Sequence, residues 1–304
     1  MNEKLQPRAL TASEELLKIC SGSPRQFPPY ASGAVARLLV AVALLSGTAA
    51  GEERPPIQDN SFLLEEAYNQ EEGVVQHISA FQRMRGGEWI TTFTQEWPAP
   101  GQTHQLSYTI PYQRIDATSG RRSGVGDIAL NYRYQLAGSG DTRFACTPRV
   151  SLLFPTGDEQ EALGSGGVGV QVNLAASSVL SDRLVAHTNL GGTYTGSTKN
   201  ERAEEAATSS INAGQSFIWT ATPTLNVLVE GVWTRLESVV GPGRTDREDL
   251  FVVSPGIRWA HNLASGLQIV PGIAFPIGVG SNRHERSIFL YLSFEHPMWA
   301  PRPK

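Results

Sequence analysis

The chain is 304 residues long, carries a formal net charge of -4 at pH 7 and has only 18% charged residues, against roughly 25% in an ordinary soluble domain. That balance leaves no clustered basic face for nucleic acid, and the two cysteines, Cys20 and Cys146, make no disulfide framework. Gly is abundant at 30 residues while mean hydropathy is only -0.21, a pairing that suits alternation of apolar with neutral-polar residues.

Residues 1–34 are polar, with Pro24, Pro28 and Pro29 late in the run. They read as an over-called or disordered N-terminus ahead of a true start near Val35 or Leu38. Residues 35–50 read as a secretory signal peptide, with Arg37 as positive flank, Leu38 to Leu45 as apolar core and Thr48-Ala49-Ala50 as cleavage site. The apolar run is far shorter than the ~20 residues of a membrane-spanning helix.

Residues 51–72 form a lead-in expected on the periplasmic side. The stretch LLEEAYNQEEGVVQHI, from Leu63 to Ile78, holds Glu65, Glu66, Glu71, Glu72 and His77, which raises a metal or acid–base reading. A short helix over 62–70, capped by Asn60 or Ser61, would set Glu65 and Glu66 about 100° apart. Gly73 would end that helix before His77, and no Glu-x-x-His spacing of the di-iron kind appears. The stronger reading is a lead-in packed under, or partly into, a barrel mouth. Glu65, Glu66, Tyr68, Glu71 and Glu72 are then plug or gate candidates, with no metal.

From 73 to 296 a period of two takes over. In GDIALNYRYQL, Ile128, Leu130, Tyr132, Tyr134 and Leu136 share one face and Asp127, Ala129, Asn131, Arg133 and Gln135 the other. QLSYTIPYQ sets Leu106, Tyr108, Ile110 and Tyr112 against Gln105, Ser107, Thr109 and Gln113. About twelve candidate strands follow, near 74–82, 88–97, 105–115, 126–136, 145–155, 167–178, 184–195, 209–221, 224–236, 250–261, 266–278 and 286–295. Most match the 9–11 residues with which a tilted strand crosses a bilayer.

The connections alternate in length. AGSGDT, LSDR around Asp182, TPT around Pro223 and NLAS from Asn262 are short. Thr156 to Gly166, Gly196 to Thr208, Glu237 to Asp249 and VGSNRHE from Val279 are read as long loops. Short turns on one side and long loops on the other predict an all-β fold, an antiparallel up-and-down transmembrane β-barrel of about 12 strands behind a short periplasmic segment. Residues 297–304 form a tail. Trp89, Trp97, Trp219, Trp233 and Trp259 fall toward strand ends, as an interfacial girdle requires. Pro111, Pro255, Pro271 and Pro276 fall inside strands, where a lost ladder donor predicts bulges or strand ends.

The stretches DNSFLLEEAYNQEEGVVQHISAF, TFTQEWP, HQLSYTIPY, SGVGDIALNYRYQL, PRVSLLFPTGD, FVVSPGIRWA and GLQIVPGIAFPIG resemble a Gram-negative family of outer-membrane transporters named for the MetA pathway of phenol degradation. The resemblance spans roughly residues 57 to 296. It implies a barrel in or near the uptake of small, often hydrophobic molecules.

Charges inside strands belong in the lumen or near an interface, because an arginine facing lipid costs roughly 2–4 kcal/mol at the midplane. Asp127, Arg133, Arg149, Glu230 and Arg258, with His187, are therefore the pore-lining candidates. Both signs are present, so they either brace the barrel as interstrand pairs, the favoured reading, or line a solute path. Leu153, Leu228 and Val232 would narrow the interior further. No G-x-S-x-G elbow occurs, so no catalytic residue is assigned and no cofactor is expected.

The function expected is passage of small hydrophobic or aromatic molecules across the outer membrane of a Gram-negative bacterium. Its partners would be the membrane lipid, a small-molecule solute and the barrel-insertion machinery. A barrel enzyme acting on lipids or esters would show a luminal histidine within hydrogen-bond reach of a serine. A structural or adhesive barrel would show a lumen plugged solid by side chains.

Overall fold

The computed structural model describes residues 59–118, 120–263 and 267–297. The expectations for the N-terminus, the signal peptide and most of the tail fall outside them. Twelve antiparallel strands form one sheet. They are β1 Val74–Met84, β2 Trp89–Pro98, β3 His104–Ala117, β4 in two halves (Gly120–Val125 and Ile128–Tyr134), β5 Phe144–Phe154 and β6 Gly169–Ser181. Then come β7 Leu184–Lys199, β8 Glu205–Thr222, β9 Leu225–Gly241, β10 Arg244–Trp259, β11 in two halves (Gln268–Ala274 and Ile277–Val279) and β12 Ser287–Pro297. Each pairs with its neighbours in sequence, and β12 pairs with β1 from Val74↔Pro297 to Met84↔Ser287. The sheet is closed, so it has no edge strand to protect.

The alternation read from the sequence is the alternation between outside and lumen. Leu130 and Tyr132 are 43% and 40% exposed, while Asn131 and Arg133 between and beside them are 5% and 2%. Val170, Val172 and Leu174 face out on β6, with Gln171 and Asn173 buried. The whole outer surface is banded this way with leucine, valine, isoleucine and aromatic side chains. So continuous an apolar belt is far beyond the patches a water-soluble monomer exposes. The tryptophans sit where a girdle needs them: Trp89 opens β2, Trp97 stands one residue from its end and Trp259 closes β10.

Both split strands break at proline. Pro111 of β3 stands opposite the break in β4, where Gly126 N donates to the Pro111 carbonyl at 3.0 Å. Pro255 of β10 faces the break in β11, with Phe275 N donating to its carbonyl at 2.9 Å, and Pro276 lies in that break itself. A residue with no N–H cannot complete a ladder rung, so the partner strand steps aside. Pro271 stays in the ladder opposite Leu292.

Two of the four long loops are corrected. Residues 237–249 form a hairpin tip whose strands run on to a two-residue turn at Pro242 and Gly243. Gly243 takes φ +64, the left-handed conformation a turn of this kind demands after proline. Glu237↔Arg247 and Arg235↔Asp249 face each other across it. Residues 196–208 likewise belong mostly to β7 and β8, joined by a turn at 200–204. With 18 and 17 residues, β8 and β9 extend well past one bilayer crossing. There a polar strand faces water on both sides, and polarity no longer marks a loop.

The loop from 155 to 168 is real, and it folds inward. Ala162 and Leu163 pack on Ile115, and Gln113 Nε2 donates to the Leu163 carbonyl at 3.0 Å. It lies at the far end, opposite the end where β1 begins and β12 finishes.

Candidate functional site

The lead-in lies inside the barrel. No helix forms over 62–70; residues 59–72 run as bends and extended chain. A buried segment outside any ladder must still satisfy its main-chain groups, and here the inward side chains of the wall do so almost residue by residue. Arg258 donates to the carbonyls of Asp59 (2.8 Å) and Asn60 (2.5 Å). Glu230 Oε1 accepts from the N–H groups of Leu63 (2.9 Å) and Leu64 (3.2 Å). Asn189 accepts from Glu65 N at 3.0 Å and donates to the Glu65 carbonyl at 2.8 Å, as a strand neighbour would. Arg133 donates to the Glu66 carbonyl. Ser177 accepts from Ala67 N at 2.8 Å, Thr147 and Gln135 donate to the Ala67 carbonyl, and Gln105 accepts from Gln70 N at 2.7 Å. These competing partners hold the chain extended where local pattern alone suggested helix.

The segment rises to an apolar tip. Phe62, Leu63 and Leu64 pack with Ile78, Ala80, Ile218, Leu228, Val232, Val252 and Phe289. Gly272 leaves the space for the Phe62 ring: a Cβ there would come within 2.5 Å of it. Asp59 secures the entry, accepting from Tyr291 Oη at 2.6 Å, Ser293 Oγ at 2.5 Å and Gln76 Nε2 at 3.1 Å.

The inward charges therefore do not pair strand to strand. Arg133, Glu230 and Arg258 hold the main chain of the lead-in, and Arg149 forms an ion pair with Glu65 (Nη2–Oε1 2.7 Å) while donating to Asn131 and Gln171. The favoured bracing by interstrand pairs is overturned because the ligands come from a segment far away in sequence. Asp127 is a second correction: it sits in the break of β4 and ties down the inward loop, accepting from Gly157 N, Ser165 N and Ser165 Oγ at 3.0, 2.8 and 2.6 Å.

Of the five lead-in candidates, Glu65, Glu66 and Tyr68 lie in the lumen. Glu71 and Glu72 are exposed at the turn before β1. Burial pushes the Glu66 carboxyl well above the usual carboxylate range, and the neighbouring Asp59 adds to it. Burial raises Glu65 too, but Arg149 outweighs it and leaves Glu65 below its ordinary value.

His187 Nδ1 is 2.7 Å from Ser177 Oγ, the contact a barrel hydrolase would need. That serine is also the acceptor for Ala67 N, and the ring of Tyr68 stands edge-on to the imidazole at 6.2 Å. No carboxylate is hydrogen-bonded to His187 among the described residues. Alternation set Gln105 and Gln135 on the inward face without giving them a role, and the luminal groups that the sequence did not mark are Asp59, Thr147, Ser177, Asn189 and Gly272. All but Asp59 carry no charge, and attention to charge alone passed over them.

Beside the lead-in a cavity of about 130 Å³ remains against β1–β6. Phe62, Leu64, Ile78 and Ala80 supply one apolar wall, Thr92, Thr94, Ser107, Thr109 and Asn131 a wall of hydroxyl and amide groups, and Glu65, Glu96 and Arg149 charged groups beside it.

These features define a closed twelve-stranded barrel whose lumen is occupied by its own N-terminal segment. A model of the family described as "Putative MetA-pathway of phenol degradation" matches residues 68–282, and the chain belongs to that family. Among solved structures, an outer-membrane channel from Pseudomonas putida F1 aligns at a TM-score of 0.57 and 15% identity, over 76% of this chain and 97% of that one. The NanC porin aligns at 0.49 and 10% identity, over 72% of this chain and 98% of that one. No curated protein matches the sequence.

Proposed function

We propose that the protein is an outer-membrane barrel of a Gram-negative bacterium that passes small hydrophobic or aromatic molecules, with the lead-in as its gate. One observation carries the reading: the lumen is filled by a segment outside the sheet, held by side-chain hydrogen bonds rather than ladder rungs. Such a segment can leave without opening the barrel wall. The outer apolar belt and the aromatic residues at strand ends support the membrane location. The cavity supports the solute class, since its volume is close to that of the ~150 Å³ apolar cavity that takes up benzene in another protein, with hydroxyls to hold a polar substituent.

The test is single-channel conductance in a planar bilayer, wild type against Glu230→Leu. The substitution removes the acceptor of two buried N–H groups, at a cost of about 2–4 kcal/mol to the seated segment. An increase in the open fraction of about 30-fold or more is expected, with block by phenol-like solutes. A correctly inserted variant that stays silent would sink the gate and favour a structural or adhesive barrel. The Ser177–His187 contact favours an ester-hydrolase reading, tested by Ser177→Ala: loss of hydrolysis in lipid-ester assays would establish it.

A further inference from the structure

On the membrane reading just proposed, the far end of the barrel lies in the outer leaflet. One side of it carries outward arginines that solute passage does not use. Arg83 of β1 and Arg114 of β3 both stand opposite Trp89 of β2. Two strand spacings place them roughly 10 Å apart. Their chain neighbours Gln82, Met84, Gln113 and Ile115 are buried in the lumen, so both guanidinium groups point out. Arg114 lies over the Trp89 ring at 5.4 Å and donates to Ser123 at 3.2 Å, and Trp89 stacks on Tyr112 at 5.8 Å. Neither arginine takes part in an ion pair among the described residues.

Three other arginines of that end behave differently. Arg235 is held by Asp249 at 3.0 Å and Arg247 by Glu237 at 2.8 Å on β9 and β10, and Arg121 by Asp116 at 2.9 Å on the β3–β4 hairpin. Next to Arg83 and Arg114, one step toward the middle of the barrel, the outward residues are Phe81, Tyr112 and Leu290, while Ile288 stands level with Arg83. Two arginines without a carboxylate therefore stand at the edge of an apolar belt, flanking an indole. A guanidinium matches a phosphate through two parallel hydrogen bonds and is less costly to dehydrate than an ammonium. Trp89 would lie at headgroup level, with its ring against the first acyl carbons.

We propose that Arg83 and Arg114, with Trp89 between them, dock a phosphorylated glycolipid headgroup of the outer leaflet. The test uses the full-length protein folded in neutral detergent. Diphosphoryl lipid A and its dephosphorylated form are titrated while binding is followed by the upward shift of the heat-unfolding transition. The phosphorylated lipid is expected to bind about tenfold tighter or more, since each charge-assisted contact contributes at least that much. R83Q/R114Q should erase the preference and R235Q/R247Q should keep it. R83K/R114K, which preserves charge without the fork, should bind more weakly than wild type yet retain the preference. Equal binding of the two lipids, or an unchanged preference in R83Q/R114Q, overturns the proposal. So does equal competition by inorganic phosphate at the same concentration, which would mark a free-anion site. Heat-modifiable migration of the same samples reports the barrel separately, so a failure of the membrane reading is not confused with a failure of the lipid site.

Discussion

Gly272 shows how much one hydrogen atom can decide. A methyl there would stand 2.5 Å from the Phe62 ring and push the tip of the lead-in out of its seat. Overpacking of this kind costs about 1–3 kcal/mol, so Gly272→Ala should raise the open fraction about 5- to 140-fold. Adding Phe62→Ala frees the space again, and the double variant should lose the extra effect of the glycine substitution. An additive pair would mean that the methyl acts elsewhere. Glu66 belongs at the same scale. Its carboxyl is buried with Asp59 and Glu295 of like charge and Arg133 and Arg258 of opposite charge around it, and its affinity for a proton is raised well above ordinary. The seated segment keeps that proton while the released segment loses it in the usual carboxylate range. Seating is therefore favoured at low pH and weakens as pH climbs from that range toward the raised value. Conductance should rise with pH over that window, and Glu66→Gln should flatten the profile. A wild-type profile already flat would rule out Glu66 as the titrating group. The inward direction of Arg133, Glu230 and Arg258 was legible from alternation and the cost of charge in lipid. Their partner was not, because it lies as much as 199 residues away in sequence for the Arg258 contact with Asp59, and no periodicity reports a contact of that kind.

At the scale of elements, the twelve strands could be read because each carries its own two-residue period, and the proline breaks because proline removes a donor wherever it stands. The helix over 62–70 and the two polar loops were misread for opposite reasons. Capping residues favour a helix locally, whereas the lumen is lined with main-chain partners that a helix would leave unused. The loop assignments took polarity as the mark of a loop, which fails once a hairpin clears the belt. The real loop, 155–168, is held by Asp127 and by the Arg122–Glu161 ion pair. Asp127→Ala leaves the N–H groups of Gly157 and Ser165 without their acceptor. The loop should then swing outward and be cut by added protease near Asp158 to Leu163 at least tenfold faster, with the barrel itself intact. Unchanged cleavage would show that packing on Ile115 suffices to hold it.

The whole molecule is a wall closed by a ladder that joins its two ends, β12 to β1, and a filling that belongs to neither. Wall and filling rest on different interactions. Closure uses main-chain hydrogen bonds around the entire circumference, which detergent does not outcompete; heat-modifiable migration in gels is expected to report it. The filling uses side-chain hydrogen bonds and one apolar tip, and it can move while the wall stays folded. A covalent tether separates the two. Ala67 N and Ser177 Oγ are 2.8 Å apart, so the two residues are neighbours, and Ala67→Cys with Ser177→Cys, joined by a short bifunctional thiol cross-linker, would bridge segment and wall. Placed in the Glu230→Leu background, the cross-linked tether should return conductance to the wild-type level, and omitting the cross-linker should leave it raised. Heat-modifiable migration should be the same in both forms, because the wall is untouched. If the tethered variant conducted as freely as the untethered one, current would have to run beside the seated segment, through the 130 Å³ cavity and past the inward loop. The lead-in would then be a permanent lining of the path, and its hydrogen bonds would shape the pore instead of closing it.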